Sequence, residues 1–182
     1  MSKQSLFRIT GMVLVFFLCT YGFGQNSGGN SITPDKNTME AFADRLSSAV
    51  KFAEAADKLA SINKKMAKNF TKSYSNAENI TITSGDDNFT FVSCYVGGIR
   101  NRIAYRKGHW HSTLRFYSED ELSRDVRHLV KSNYYDFNIA GVTEVKFNGK
   151  LAHVISLESK TEWKKLKVVD GEMEEMESFK KS

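Results

Sequence analysis

The stretch from Leu129 to Met173 reads "LVKSNYYDFNIAGVTEVKFNGKLAHVISLESKTEWKKLKVVDGEM", and it decides the fold of the chain. It begins at the end of a helical segment and continues as strand-like runs rich in β-branched and aromatic residues. The runs are residues 139–147, 150–158, 162–169 and 172–179. Asn148-Gly149 is a strong two-residue hairpin signal, and Asp170-Gly171 supplies another turn. The segment therefore predicts an antiparallel meander of four strands behind a helix.

The chain before Leu129 repeats this order of elements. A helical stripe of apolar residues comes first, at Ile62, Met66, Phe70 and Tyr74. Strand-like runs follow at 79–83, 88–96, 98–106 and 109–117. Ser118 to Glu121 has the capping-box pattern S-x-x-E, which predicts the start of a second helix over 119–133. We predict an α+β fold of two tandem units, about 62–117 and 118–179, each a helix followed by a four-stranded antiparallel meander.

An extra amphipathic helix over residues 39–61 is predicted before these units, with Thr38 as its N-cap. Apolar residues recur in it at spacings of three and four, as a helix requires. They are Phe42, Leu46, Ala49, Ala53, Ala56 and Ala60. We expect a break near Ser61 to Asn63, because an unbroken helix to Ser75 would be long for so small a domain. Whether the helix packs on the domain or projects from it stays open.

Residues 1–24 have the features of a secretion signal. Lys3 and Arg8 form a positive start, Gly11 to Leu18 is an apolar run, and Gly22 and Gly24 suit a cleavage site before Gln25. Residues 25–38 are predicted to be a flexible polar leader. The expected location is therefore secreted or periplasmic, in a Gram-negative bacterium, with no transmembrane segment after cleavage.

Charge and cysteine content limit the classes of function. The formal net charge of +5 becomes +3 without residues 1–24, a mild excess that suits an acidic partner but does not indicate nucleic acid. Only Cys94 remains once Cys19 leaves with the signal, so an intramolecular disulfide is impossible and a hydrophobic core must supply the stability. Cys94 itself is interpreted as a small buried apolar residue.

Residues 62–179 resemble a group of small secreted bacterial proteins, described as PepSY-like or beta-lactamase-inhibitor-protein-like, and the second half fits best. The resemblance lies in "FTKSY" (70–74) at a helix end, in the two helix-plus-meander units, and in the final Asp170-Gly171. The proline that often opens the second helix is missing, as is an aromatic residue near His153. The resemblance implies a PepSY-like domain over 62–182, non-enzymatic, with a sheet face able to bind a protein or peptide.

The candidate binding surface is the hairpin around "YRKGHWHSTLRF" (105–116). A Lys107-Gly108 turn would place both histidines and four arginines on one side of the sheet. The predicted partner-binding residues are Arg100, Arg102, Arg106, His109, His111 and Arg115. The predicted core side holds Ile99, Ile103, Tyr105, Trp110, Leu114 and Phe116. The arginine fork suits carboxylates, whereas a dication in this positive field is disfavoured, so we predict no metal at the histidines. The alternative to a binding surface is an ordinary solvated strand face lined with polar residues.

No catalytic motif and no phosphate-binding loop occurs in the sequence, so we predict no enzymatic activity and no cofactor. The favoured hypothesis is a binding module that recognises an acidic protein or peptide through the arginine-rich sheet face. An alternative is a structural or assembly protein of the cell envelope that interacts through the Ala-rich helix. Carriage of a metal or small ligand is a weaker alternative.

Overall fold

The computed structural model describes residues 35–182. Its helices are α1 (Lys36–Ile62), α2 (Lys64–Ser73) and α3 (Arg124–Asn133), with a short 3-10 turn at Glu119–Glu121. Its strands are β1 (Glu78–Ser84), β2 (Phe89–Val96), β3 (Ile99–Arg106), β4 (His109–Tyr117), β5 (Asn138–Phe147), β6 (Lys150–Glu158), β7 (Glu162–Val169) and β8 (Glu172–Lys180). The predicted signal peptide and residues 25–34 of the predicted leader lie outside the described residues.

All eight strands form a single antiparallel sheet in chain order. Pairing of β4 with β5 joins the two meanders, so the predicted tandem α+β arrangement is confirmed and its two halves share one sheet. The helices cover one side of this sheet. We call that side the helix side and the other the open side.

Two separate hydrophobic cores lie on the helix side, one under each half of the sheet. The first comprises Leu59, Met66, Ala67, Phe70, Ala77, Val92, Cys94, Ile103 and Tyr105. The second comprises Leu122, Val130, Phe137, Ile139, Val142, Ile155, Leu157, Leu166 and Val168. Each core forms because a period-3.6 helix stripe meets every second residue of the strands beneath it. The repeat seen in the sequence is therefore also a repeat of cores.

The helices of the two halves also end in the same way before the first strand of each meander. The backbone N–H of Tyr74 donates to the Phe70 carbonyl at the end of α2, and that of Tyr134 donates to the Val130 carbonyl at the end of α3. These bonds satisfy carbonyls that a helix end otherwise leaves unpaired. The helix ends at matching places in the two halves thus have the same local structure.

Helix starts differ in part from the predictions. The expected break is confirmed: Asn63 separates α1 from α2, and its side-chain oxygen accepts from the backbone N–H groups of Lys65 at 2.9 Å and Met66 at 3.2 Å. The N-cap at Thr38 is wrong, because α1 already begins at Lys36. The capping box at Ser118 is also wrong, because Ser118 makes no side-chain cap bond and precedes only the 3-10 turn.

A glycine in the β3–β4 turn lies against this helix cap and gives a first prediction. Gly108 has a φ of +79°, and a Cβ added there would overlap the side chain of Asn63. Gly108→Ala should therefore lower the free energy of unfolding in two ways. A left-handed backbone at alanine costs about 1 kcal/mol, and displacement of the Asn63 cap costs about 1 kcal/mol more. Urea unfolding measures the loss.

Gly171 offers the matched control, because it occupies the equivalent turn between β7 and β8. Its φ is +82°, and an added Cβ would meet nothing within 4 Å. Gly171→Ala should show only the backbone cost. Equal losses of unfolding free energy in the two variants would contradict the role given to the contact with Asn63.

Candidate functional site

The open side of β2 to β5 is basic and aromatic. We call this surface the basic face and define it by residues that the strand registers, or for His111 its ring contacts, place on one side. They are Arg100, Arg102, Arg106, His109 and His111 together with Phe89, Phe91, Phe116 and Phe147. Along these four strands the open side presents no aspartate and no glutamate. Positive charge is therefore not neutralised locally.

Each arginine of β3 lies over a phenylalanine ring of a neighbouring strand. The guanidinium carbon is 4.8 Å from the ring centroid for Arg102 over Phe91, and 5.3 Å for Arg106 over Phe89. Arg100 lies over Phe116 at 5.3 Å. Such cation–π contacts hold the side chains while leaving their N–H groups free. No carboxylate of residues 35–182 lies within 4.0 Å of these three guanidinium groups.

A β-bulge changes the predicted face of β4. Tyr105 pairs with Trp110 but Ala104 pairs with Ser112, so His111 is the extra residue. The bulge brings Thr113 to the side of Trp110, where its hydroxyl accepts from the indole N–H at 2.9 Å. All later residues of β4 then change sides relative to the unbulged register.

This shift corrects three of the predicted placements. Arg115 lies on the helix side, apart from the other five predicted binding residues. Leu114 and Phe116, which were expected in the core, lie half-buried on the open side. The structure thus brings together Arg100, Arg102, Arg106, His109 and His111, and it removes Arg115 from them.

Both histidines of "HWH" lie on the basic face. His109 pairs with Arg106 across the turn and is exposed. The His111 ring lies between Phe89 and Phe147, with centroids 5.1 and 5.0 Å away. Within residues 35–182 no three histidine, cysteine, aspartate or glutamate side chains are grouped so that they could hold a metal ion. The surroundings of His111 are those of an aromatic contact.

The other half of the open side is charge-balanced. Lys165 pairs with Glu177 at 2.9 Å, and Lys167 pairs with Glu174 at 2.8 Å, both between β7 and β8. The positive potential of the open side is therefore concentrated on β3 and its neighbours.

On the helix side, a polar junction separates the two hydrophobic cores where β4 meets β5. It consists of Thr113, Arg115, Tyr117, Glu144 and His153. Glu144 accepts from the Arg115 guanidinium at 3.0 and 3.2 Å and from the Tyr117 hydroxyl at 3.1 Å. The Tyr74 hydroxyl and Thr113 Oγ1 are 3.1 Å apart, which ties α2 to the junction. Sequence reasoning missed this network, because Arg115 and Glu144 meet only through the pairing of the two halves.

Burial shifts the proton affinities in this junction. Burial, followed by the charge of Glu144, raises the pKa of Tyr117 far above its ordinary value, so the phenol stays protonated. Burial lowers the pKa of His153, and the nearby Glu144 carboxylate opposes that shift. His153 is therefore neutral near pH 7.

A cleft of about 310 Å³ beside the junction is lined by Ser73, Tyr74, Val96, Asn101, Thr113, Arg115, Glu144 and Lys146.

The thiol of Cys94 is inaccessible to solvent. Cys94 is buried, as predicted, and burial raises the pKa of its thiol to about 11. Little reactive thiolate exists at neutral pH under these conditions.

None of the helices within residues 35–182 has the length and apolar character needed to cross a membrane.

Comparison with known proteins supports the fold. No protein-family model matches the chain, and neither does any curated protein. A solved DUF2874 family protein from Bacteroides ovatus ATCC 8483 superposes with a TM-score of 0.52 and 18% identity, over 65% of this chain and 86% of that one. A BLIP-like protein from Bacteroides fragilis NCTC 9343 gives 0.52 and 15%, over 65% and 85%.

A candidate periplasmic protein from Bacteroides eggerthii DSM 20697 gives a TM-score of 0.51 at 15% identity, over 64% of this chain and 86% of that one. The fold is therefore BLIP-like, which confirms that part of the resemblance stated from the sequence. The PepSY part of the resemblance stays a prediction.

Proposed function

We propose that the protein is a non-enzymatic binding module, secreted or periplasmic, whose basic face recognises an acidic protein or peptide. The observation that carries the proposal is the row of three arginines on β3, each held over a phenylalanine and none paired with a carboxylate of the described chain. The signal-like residues 1–24 and the BLIP-like fold support the location and the class of function.

The basic face favours an extended acidic partner. Arg100 and Arg102 are two residues apart on one strand, and side chains at that spacing stand about 6.8 Å apart. Carboxylates on alternate residues of an extended segment have the same spacing. Arginine can bind each carboxylate with two parallel hydrogen bonds, and the stacked phenylalanines reduce the side-chain freedom lost on binding.

A charge-reversal experiment tests this proposal. The variant Arg100→Glu/Arg102→Glu/Arg106→Glu and the wild-type protein are each used to capture proteins from an envelope extract of the source bacterium, followed by mass spectrometry. A captured protein is then purified, and its affinity for both forms is measured by titration calorimetry. We expect at least about 100-fold weaker binding by the variant, since several charged contacts are lost together.

The matched control reverses three lysines on the opposite side of the sheet. Lys64, Lys65 and Lys68 of α2 are all exposed, and Lys64→Glu/Lys65→Glu/Lys68→Glu changes the net charge by the same amount. This control should bind like wild type. Equal binding by the arginine variant, or equal weakening by the lysine variant, would show that the basic face is not the binding site.

A further inference from the structure

The first half of α1 carries a stripe of exposed apolar side chains. Met39 is 55% exposed, Phe42 59%, Leu46 52% and Val50 57%. Their spacings of three, four and four residues place them on one side of the helix. Ala43, Ala49 and Ala53 lie beside them and are exposed as well. The stripe runs for about 17 Å along the helix at 1.5 Å per residue.

The domain cannot cover this stripe, because α1 packs on it through a different side. Ala55 and Leu59 are buried, and Phe52 packs against the first core. At 100° per residue, the direction of Phe52, Ala55 and Leu59 is roughly 150° away from the direction of the stripe. The apolar stripe thus faces away from the sheet that α1 covers.

We propose that the stripe is an interface between two copies of this chain, in which the α1 helices pair antiparallel about a two-fold axis near Leu46. In this arrangement each large side chain meets a small one of the second copy. Met39 lies opposite Ala53, and Phe42 lies opposite Ala49 and Val50. Leu46 meets Leu46 at the axis. A parallel pair would instead set Met39 against Met39 and leave alanine opposite alanine, which packs poorly.

Charges beside the stripe also fit the antiparallel pair. Lys36 and Glu54 lie on the same flank of the stripe, and the proposed axis brings each next to the other residue of the second copy. Glu54 has no ion pair within residues 35–182, and Lys36 has only an exposed contact with Glu40 at 3.8 Å. The axis repeats the Lys36–Glu54 contact twice. Such pairs set orientation more than affinity.

The first test is the state of association of the purified protein. A single pair of short helices gives an interface at the small end of the range for specific complexes, so we expect dissociation on the order of micromolar. Sedimentation velocity from about 1 to 200 μM should show a monomer that becomes a dimer. Leu46→Glu should stay monomeric throughout, because it places two carboxylates at the axis. A wild-type protein that is monomeric at every concentration would overturn the proposal.

The second test measures the orientation of the helices. Leu46→Cys should form an intermolecular disulfide on mild oxidation, because the two positions meet at the axis. Met39→Cys is the matched control: its counterpart in the second copy lies about 21 Å further along the helix, beyond the reach of a disulfide. The buried Cys94 gives little background. Equal cross-linking of both variants would indicate a parallel pair, and no cross-linking of Leu46→Cys would refute the axis.

Discussion

Phe70→Ala should lower the free energy of unfolding by about 3–5 kcal/mol, the largest loss that we expect from a single substitution. Phe70 is fully buried in the first core. Its ring stacks on Phe52 with centroids 6.0 Å apart and on Tyr74 at 5.5 Å. Removing it leaves a cavity where α1, α2 and the sheet meet. Since domains of this kind are stable by only about 5–15 kcal/mol, the variant should unfold at much lower urea.

Phe147→Ala is the matched control for this prediction. Phe147 is 42% exposed on the open side, so its truncation removes less buried surface and creates no enclosed cavity. We expect a loss of no more than about 1 kcal/mol. Urea unfolding followed by circular dichroism compares both variants with wild type. A loss for Phe147→Ala as large as that for Phe70→Ala would contradict the assignment of the core to the helix side.

Glu144→Ala should cost about 2–3 kcal/mol of unfolding free energy, through loss of charge-assisted hydrogen bonds. The Glu144 side chain is only 15% exposed and accepts from both Arg115 and Tyr117. Its removal leaves the Tyr117 hydroxyl without this acceptor at the junction of the two cores. Arg115 is 40% exposed and can turn to water, which keeps the loss below that of a fully buried ion pair.

Two further glutamate variants serve as controls for Glu144→Ala. Glu174→Ala removes an exposed ion pair with Lys167 and should leave the free energy of unfolding close to that of wild type. Glu144→Gln keeps an acceptor for Tyr117 but loses the charge, so its unfolding free energy should fall between those of Glu144→Ala and wild type. If Glu144→Ala were no more costly than Glu174→Ala, the polar junction would not stabilise the contact between the two halves.

The strands, their order and the division into two units could be predicted because their signals are local. Alternating β-branched residues, Asn148-Gly149 and Asp170-Gly171 act over a few residues of chain. The break before α2 was equally local, since Asn63 caps the helix by binding the N–H groups two and three residues later. The start of α3 was predicted incorrectly. The capping-box pattern at Ser118 indicates the start of a helix, but the chain forms only a 3-10 turn there and α3 begins at Arg124.

The candidate site was predicted only in part, because His111 is an extra residue that forms a β-bulge in β4. The alternation of Trp110, Leu114 and Phe116 suggested that all three share the core side, and an unbroken register would have kept Arg115 with the other arginines. The bulge at His111 reverses that order. It is accompanied by hydrogen bonds of Thr113 with Trp110 and with Tyr74, which lies 39 residues away.

The sequence by itself therefore determined the repeated helix-and-meander order, the buried Cys94, the break at Asn63 and the concentration of arginine on β3. Only the tertiary structure decided which side of β4 faces the helices, that β4 pairs with β5, and that Glu144 rather than an external partner binds Arg115. The physical reason is that side-chain direction in a strand has a period of two, so one inserted residue reverses it. Contacts that choose such a register join residues far apart in the chain, and no local pattern encodes them.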